Sequence, residues 1–138
     1  MNEAPENIIA REIVDAAYKI HYDLGAGLLE SVYEVLLEFE LKRRGLQVER
    51  QVRIPIRYGG AVFEEGFRAD MIVNQLVIVE IKSVEETHPS FKKTLLTYLR
   101  LAERRLGLLI NFGGAQLKGN VHRVANGMPE TSEPPSLS

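Results

Sequence analysis

The sequence predicts an α/β protein in which helices flank one mixed β-sheet, in the order α-α-β-β-β-α-β-β. Two helical apolar stripes open the chain. Three strand-like segments follow, separated by short reversals at Gly59-Gly60 and Asn74-Gln75. A third amphipathic helix then precedes a continuous apolar run, Leu106 to Phe112, that reads as a buried strand. With 138 residues, 45% hydrophobic and 26% charged, the chain has the length and composition of one soluble domain. That domain is expected over residues 1–125. Residues 126–138, dominated by Pro, Ser and Glu, are expected to form a disordered tail.

Each element has a local reason. Ile9, Ile13, Ala16, Ala17, Ile20 and Leu24 recur at helical spacing and stop at Gly25, which predicts a first helix near residues 7–23. A second helix is expected from Gly27 to Arg44, closed by Gly45. Its apolar residues (Leu28, Leu29, Val32, Val35, Leu36, Phe39) lie nearly all round, so it should be the most buried helix. Val48 to Tyr58 alternates as a strand, and Pro55 pushes it toward an edge or a bulge. Gly59-Gly60 turns the chain into a strand from Ala61, and Asn74-Gln75 reverses it again. His88-Pro89-Ser90 opens the third helix, with Phe91, Leu95, Tyr98, Leu99 and Ala102 toward the sheet. Gln116 to Val124 reads as the last strand.

Charge in the wrong place is the strongest functional signal. Asp70 lies in Gly66-Phe67-Arg68-Ala69-Asp70-Met71-Ile72-Val73, and Glu80 and Lys82 lie in Leu76-Val77-Ile78-Val79-Glu80-Ile81-Lys82-Ser83, segments that otherwise read as buried strand. A buried charge costs several kcal/mol unless it is paired or binds a metal. Glu80 and Lys82 share one strand face, with Ile81 on the other. Asp70 joins them only in the register that sets Asp70 opposite Glu80 and Ile72 opposite Ile78; a one-residue slip puts it on the wrong side. The bland alternative is an ion pair on the solvated face of an edge hairpin. Facing carboxylates suit one Mg²⁺ or Mn²⁺ with open positions for water and a phosphate oxygen. An ammonium beside them can position water or offset charge on the phosphorane.

This arrangement resembles the PD-(D/E)XK nuclease superfamily, in which a hairpin supplies Asp and then Glu-x-Lys. Arg68-Ala69 precede Asp70, so only the Asp of the "PD" is present. Gly27-Leu28-Leu29-Glu30-Ser31-Val32-Tyr33 reads Gly-x-x-Glu-x-x-Tyr, the signature of a small prokaryotic family (GxxExxY) grouped with that superfamily. Gln51 to Ile56, Phe67 to Asp70 and Leu106 to Gly113 are also similar to that family, and the likeness covers about residues 8 to 125. The resemblance implies a restriction-endonuclease-like core and a Mg²⁺- or Mn²⁺-dependent nuclease acting on DNA or RNA. Asp70 and Glu80 would be metal ligands, Glu30 a third ligand or an orienter, and Lys82 a catalytic residue. Thr94 and Tyr98, with Lys92 and Lys93, are the candidate substrate contacts. The third helix of the family commonly carries Gln-x-x-x-Tyr with a His three residues before the Gln; here Tyr98 is kept, but Thr94 and Phe91 stand at the other two positions.

Glu30 also has a bland reading. Glu30, Glu34, Glu38 and Lys42 recur every four residues and can form one solvated stripe. Against that, Gly27, Glu30 and Tyr33 are three apart and would share a helix face.

Composition excludes other classes. Cysteine is absent, which removes disulfides, thiolate zinc sites and a cysteine nucleophile. No Walker lysine follows Gly113-Gly114, Ser31 and Ser83 have no histidine at readable spacing, and His21, His88 and His122 are scattered. No apolar run reaches membrane length and the acidic N-terminus is no signal peptide, so a cytoplasmic protein with no membrane contact is expected. The net charge of −2 supplies no global basic field; Lys42-Arg43-Arg44, Lys92-Lys93 and Arg100 with Arg104-Arg105 are local clusters. A homodimer is possible. The functional alternatives are a nuclease fold that binds nucleic acid or a protein without turnover, and a metal-dependent hydrolase with another substrate.

Overall fold

The computed structural model describes residues 3–128. Its frame is a five-stranded sheet in which spatial order follows chain order. Helices α1 (Pro5–Leu24) and α2 (Glu30–Arg43) come first, then β1 (Val48–Tyr58), β2 (Ala61–Val73) and β3 (Val77–Lys82). Helix α3 (Pro89–Ala102) crosses over to β4 (Leu106–Asn111), which is followed by β5 (Val121–Ala125). The β1–β2, β2–β3 and β4–β5 pairs are antiparallel, while β3–β4, joined through α3, is parallel. The element order is the one the sequence predicts.

Two apolar cores lie on the two sheet faces. Ile13, Ala17, Tyr33, Leu37 and Leu41 of α1 and α2 pack on Met71, Val73, Val77, Val79, Ile81, Leu108 and Ile110. Leu95 and Leu99 of α3 pack on Ile54, Ala69, Ile72, Ile78 and Leu109. β3 and β4 are therefore covered on both faces, which accounts for the apolar runs Val77 to Val79 and Leu106 to Ile110.

The turns have the expected chemistry. Gly59 and Gly60 both adopt positive φ (61° and 81°), as do Asn74 and Gln75 (50° and 59°), which fits two-residue hairpin loops. Pro55 sits in the edge strand β1 at a register shift between Ile54 and Ile56.

Three expectations about the elements are corrected. First, α2 begins at Glu30 rather than Gly27, because Gly25 and Gly27 hold φ of 73° and 104°, outside the helical region. The Gly27–Glu30–Tyr33 helix face therefore does not form. Second, α2 is not buried all round: Leu29, Val32, Val35 and Phe39 are exposed, because α1 and the sheet cover only one side of it. Third, the last strand starts at Val121, not Gln116. Residues 116–120 instead form a turn closed by the Asn120 amide on the Leu117 carbonyl (2.8 Å). Asn126 is still pinned, its side chain donating to the Arg104 carbonyl at 3.0 Å. Beyond Met128 the expected tail lies outside the described residues.

Candidate active site

The β2–β3 ladder runs from Val73 opposite Val77 through Ile72 opposite Ile78 to Met71 opposite Val79, and stops there. That register places Asp70 across from Glu80, and side chains replace the missing ladder bonds. The Asp70 amide donates to Oε1 of Glu80 at 3.2 Å, and the Ile81 amide donates to Oδ2 of Asp70 at 2.8 Å. Backbone and carboxylates are thus interlocked where the two strands separate.

The other side of β2 is interrupted at the same residue. Arg50 pairs with Met71 and Val52 with Ala69, but Gln51, between them, makes no ladder pair with Asp70. Its φ is +54°, rare for a side-chain-bearing residue within a strand. The pleat reverses there. Arg50 and Gln51 are sequence neighbours, yet both reach Glu34 of α2, at 2.8 and 2.9 Å. Ala69 packs toward α3 although Met71, two residues on, packs toward α1 and α2. Alternation fails across Asp70 on both strands.

Burial and proximity set the charge state. Glu80 is 8% exposed. Its carboxyl is pushed up to about 9, first by burial and then by the Asp70 carboxylate, with the Lys82 ammonium opposing the shift. The Tyr98 phenol is also raised, by burial and then by Glu80 and Asp70, so the hydroxyl of α3 senses both acids. Lys82 sits on this side of β3 with Nζ 4.6 Å from the centre of the Phe91 ring, a cation–π arrangement. Phe67 of β2 packs on Tyr98, ring centres 4.8 Å apart.

The remaining candidates are placed as follows. Glu30 is the first residue of α2 and is exposed. Among the described residues no group of three or more acids or histidines is gathered for a metal ion, so Glu30 does not join Asp70 and Glu80 in such a group. The loop before Glu30 is nevertheless tied to this end of β3. The Ser83 hydroxyl donates to the Leu28 carbonyl at 2.7 Å, and the Tyr33 hydroxyl donates to the Gly25 carbonyl at 2.6 Å. Glu34 and Glu38 are not a solvated stripe: Glu34 is buried against Arg50 and Gln51, and Glu38 pairs with Arg50 and Lys42. Lys92, Lys93 and Thr94 are exposed on α3, and Tyr98 is half-buried. His21 contacts the Gly114 carbonyl (2.9 Å) and His88 caps α3 by accepting from the Ser90 amide, so each has a structural partner. Gln51 shapes the site without a sequence signal for it; Phe91 showed as a sheet-facing residue of the third helix and Glu34 as one acid in a charged series.

The sheet, its crossover and the acids at the strand opening are the architecture of an endonuclease-like core. The sequence profile of the PD-(D/E)XK nuclease superfamily matches residues 7–124, and the chain belongs to that superfamily. Among curated proteins and solved structures, none matches the chain. No helix among the described residues is long and apolar enough to cross a membrane.

Proposed function

We propose that this protein is a Mg²⁺- or Mn²⁺-dependent nuclease of the GxxExxY branch that hydrolyses phosphodiester bonds of DNA or RNA. The observation that carries the reading is the interlock of Asp70 and Glu80 at the strand opening, with Lys82 on the same side. The donor set fits a hard cation: two carboxylates lie together, and the charge of one helps hold the other protonated. A divalent cation on Asp70 and Glu80 would displace that proton, lower the pKa of a coordinated water and neutralise charge on the phosphate.

The chain supplies the rest. The Ile81 amide fixes the Asp70 carboxylate, and the Asp70 amide fixes that of Glu80, so both acids are oriented before substrate arrives. The Lys82 ammonium orients the attacking water or offsets charge on the phosphorane. Glu30, the first residue of α2 after the loop tied to Ser83, stands outside the acid pair and serves as an orienter rather than a ligand. Tyr98, with Thr94, Lys92 and Lys93 along α3, contacts the substrate backbone.

Two observations favour a second reading, a nuclease fold that binds nucleic acid or a protein without turnover. Glu30 stands outside the acid pair, and the Lys82 head rests on Phe91. One experiment separates the readings. Single- and double-stranded DNA and RNA are incubated with the protein in Mg²⁺, in Mn²⁺ and in EDTA, beside Glu80→Ala. The nuclease reading expects cation-dependent cleavage that Glu80→Ala abolishes; absence of cleavage with both metals supports binding alone.

A further inference from the structure

We propose that Arg53, Arg57 and Arg68 form a phosphate-binding row on the β1–β2 hairpin, holding a nucleic-acid backbone on the surface turned away from α3 without reading its bases. The inference rests on the nucleic-acid reading above, and it concerns a surface separate from the acids and α3.

The arginines of this chain divide sharply by partner. Arg44 bonds Asp15, Arg50 bonds Glu34, Arg105 bonds Glu6 through two nitrogens, Arg123 bonds Asn7 and Arg104 bonds the Ala102 carbonyl. Arg43 lies near Glu40 and over the Phe39 ring. Arg53, Arg57 and Arg68 are exposed, and their side chains have no ion-pair or hydrogen-bond partner among the described residues. Of the arginines in that state, all but Arg100 lie on this one hairpin. Glu64 and Glu65, at the register shift in β2, form no ion pair with them.

Geometry puts Arg53 and Arg68 on one face. Val52 and Ile54 pack toward α3, so Arg53 leaves from the opposite face of β1, and Arg57 follows on the same strand beyond the register shift. They stand about 13 Å apart at the usual strand rise. Arg68 lies between Phe67 and Ala69, both turned to α3, and is the direct cross-strand partner of Arg53. Like charges directly opposite each other in an antiparallel pair repel. An anion between them converts that repulsion into binding, and a guanidinium fork matches a phosphate. Arg68 is two residues from Asp70 along β2, but the row lies on the sheet face opposite the acids, which turn toward Phe91 and Tyr98 of α3. Contacts to phosphate position a nucleic acid and carry no sequence information, so a row that binds phosphate treats every sequence alike.

The test is a fluorescence-anisotropy titration of labelled single-stranded and duplex DNA in EDTA, over a range of salt concentrations and with unrelated base sequences. The variant Arg53→Gln/Arg57→Gln/Arg68→Gln should bind at least tenfold more weakly, by the same factor for every sequence. Its salt slope should fall by about 0.9 for each duplex phosphate that an arginine no longer neutralises. Arg100→Gln, on α3, should bind as wild type, and a triple Arg→Lys variant should keep most of the salt slope. If the Gln triple does not fold by circular dichroism, the three single variants carry the same test. Unchanged affinity and slope, an equal loss in Arg100→Gln, or no nucleic-acid binding by wild type at low salt overturns the proposal. Failure of the nuclease reading looks different: binding in EDTA that depends on the three arginines persists, while Mg²⁺ and Mn²⁺ produce no cleavage.

Discussion

Gln51 lies across from Asp70 in the β1–β2 hairpin and makes no ladder pair with it; its left-handed backbone (φ +54°) is held by a side-chain bond to buried Glu34 at 2.9 Å. The interruption coincides with the point where Asp70 turns its amide to Glu80. A left-handed conformation costs a side-chain-bearing residue of order 1–3 kcal/mol, and a β-branched residue tolerates it worst. Gln51→Val should therefore lower both thermal stability and metal-dependent cleavage. Gln51→Gly, which adopts the same φ freely, should keep cleavage and change stability by only about 1 kcal/mol, since it also loses the bond to Glu34. Urea melts and single-turnover assays of the two variants check this; equal losses of cleavage would show that the backbone conformation is irrelevant to the site.

Glu80 makes stability depend on pH. Its carboxyl is pushed from 4.5 up to about 9 on folding, so the native state holds a proton that the unfolded chain has already released. With more protons bound in the native state, the Glu80 contribution to stability falls as pH rises through this window and is constant on either side. The fall should be of order several kcal/mol without divalent metal. Glu80→Gln, neutral at every pH, should flatten the curve and melt higher than wild type at pH of about 8. Urea unfolding across the window measures it.

Divalent cations should reverse that penalty. A ligand that binds only the folded state stabilises it by mass action, about 2.7 kcal/mol at one hundred times its dissociation constant. Mg²⁺ or Mn²⁺ should raise the melting temperature of wild type, more strongly at higher pH because binding must displace the Glu80 proton. Asp70→Asn should abolish the gain. Calorimetric scans at matched ionic strength decide the matter, and a melting temperature indifferent to both metals would favour the non-catalytic reading.

Helix α3 offers a gain-of-function test. Thr94 is exposed one turn before Tyr98, where the GxxExxY family that the sequence resembles commonly has Gln. The longer amide can reach a phosphate or a water that the threonine hydroxyl cannot. One neutral hydrogen bond is worth about 0.5–1.5 kcal/mol, so Thr94→Gln should raise cation-dependent cleavage several-fold. Lys82→Ala and Glu80→Ala should eliminate it. Cleavage surviving Glu80→Ala would place the activity elsewhere.

What the sequence determined by itself was whatever local rules specify. The 3.6-residue stripes of α1 and α3, the two-residue reversals and the apolar runs of β3 and β4 fixed the element order, since each follows from side-chain period and turn chemistry. Register was legible as a condition: Asp70 could join Glu80 and Lys82 only with Ile72 opposite Ile78, and Ile72 does lie opposite Ile78. What only the tertiary structure decided depends on partners distant in sequence. Whether α2 was buried all round turned on how much of it α1 and the sheet cover, which leaves Val35 and Phe39 exposed. The burial of Glu34 required Arg50 and Gln51 from another element, and the resting place of Lys82 required Phe91. Gln51 is the clearest case: nothing in its neighbours marks a left-handed strand residue, because that conformation is unfavourable locally and is held by a contact with a helix formed earlier in the chain.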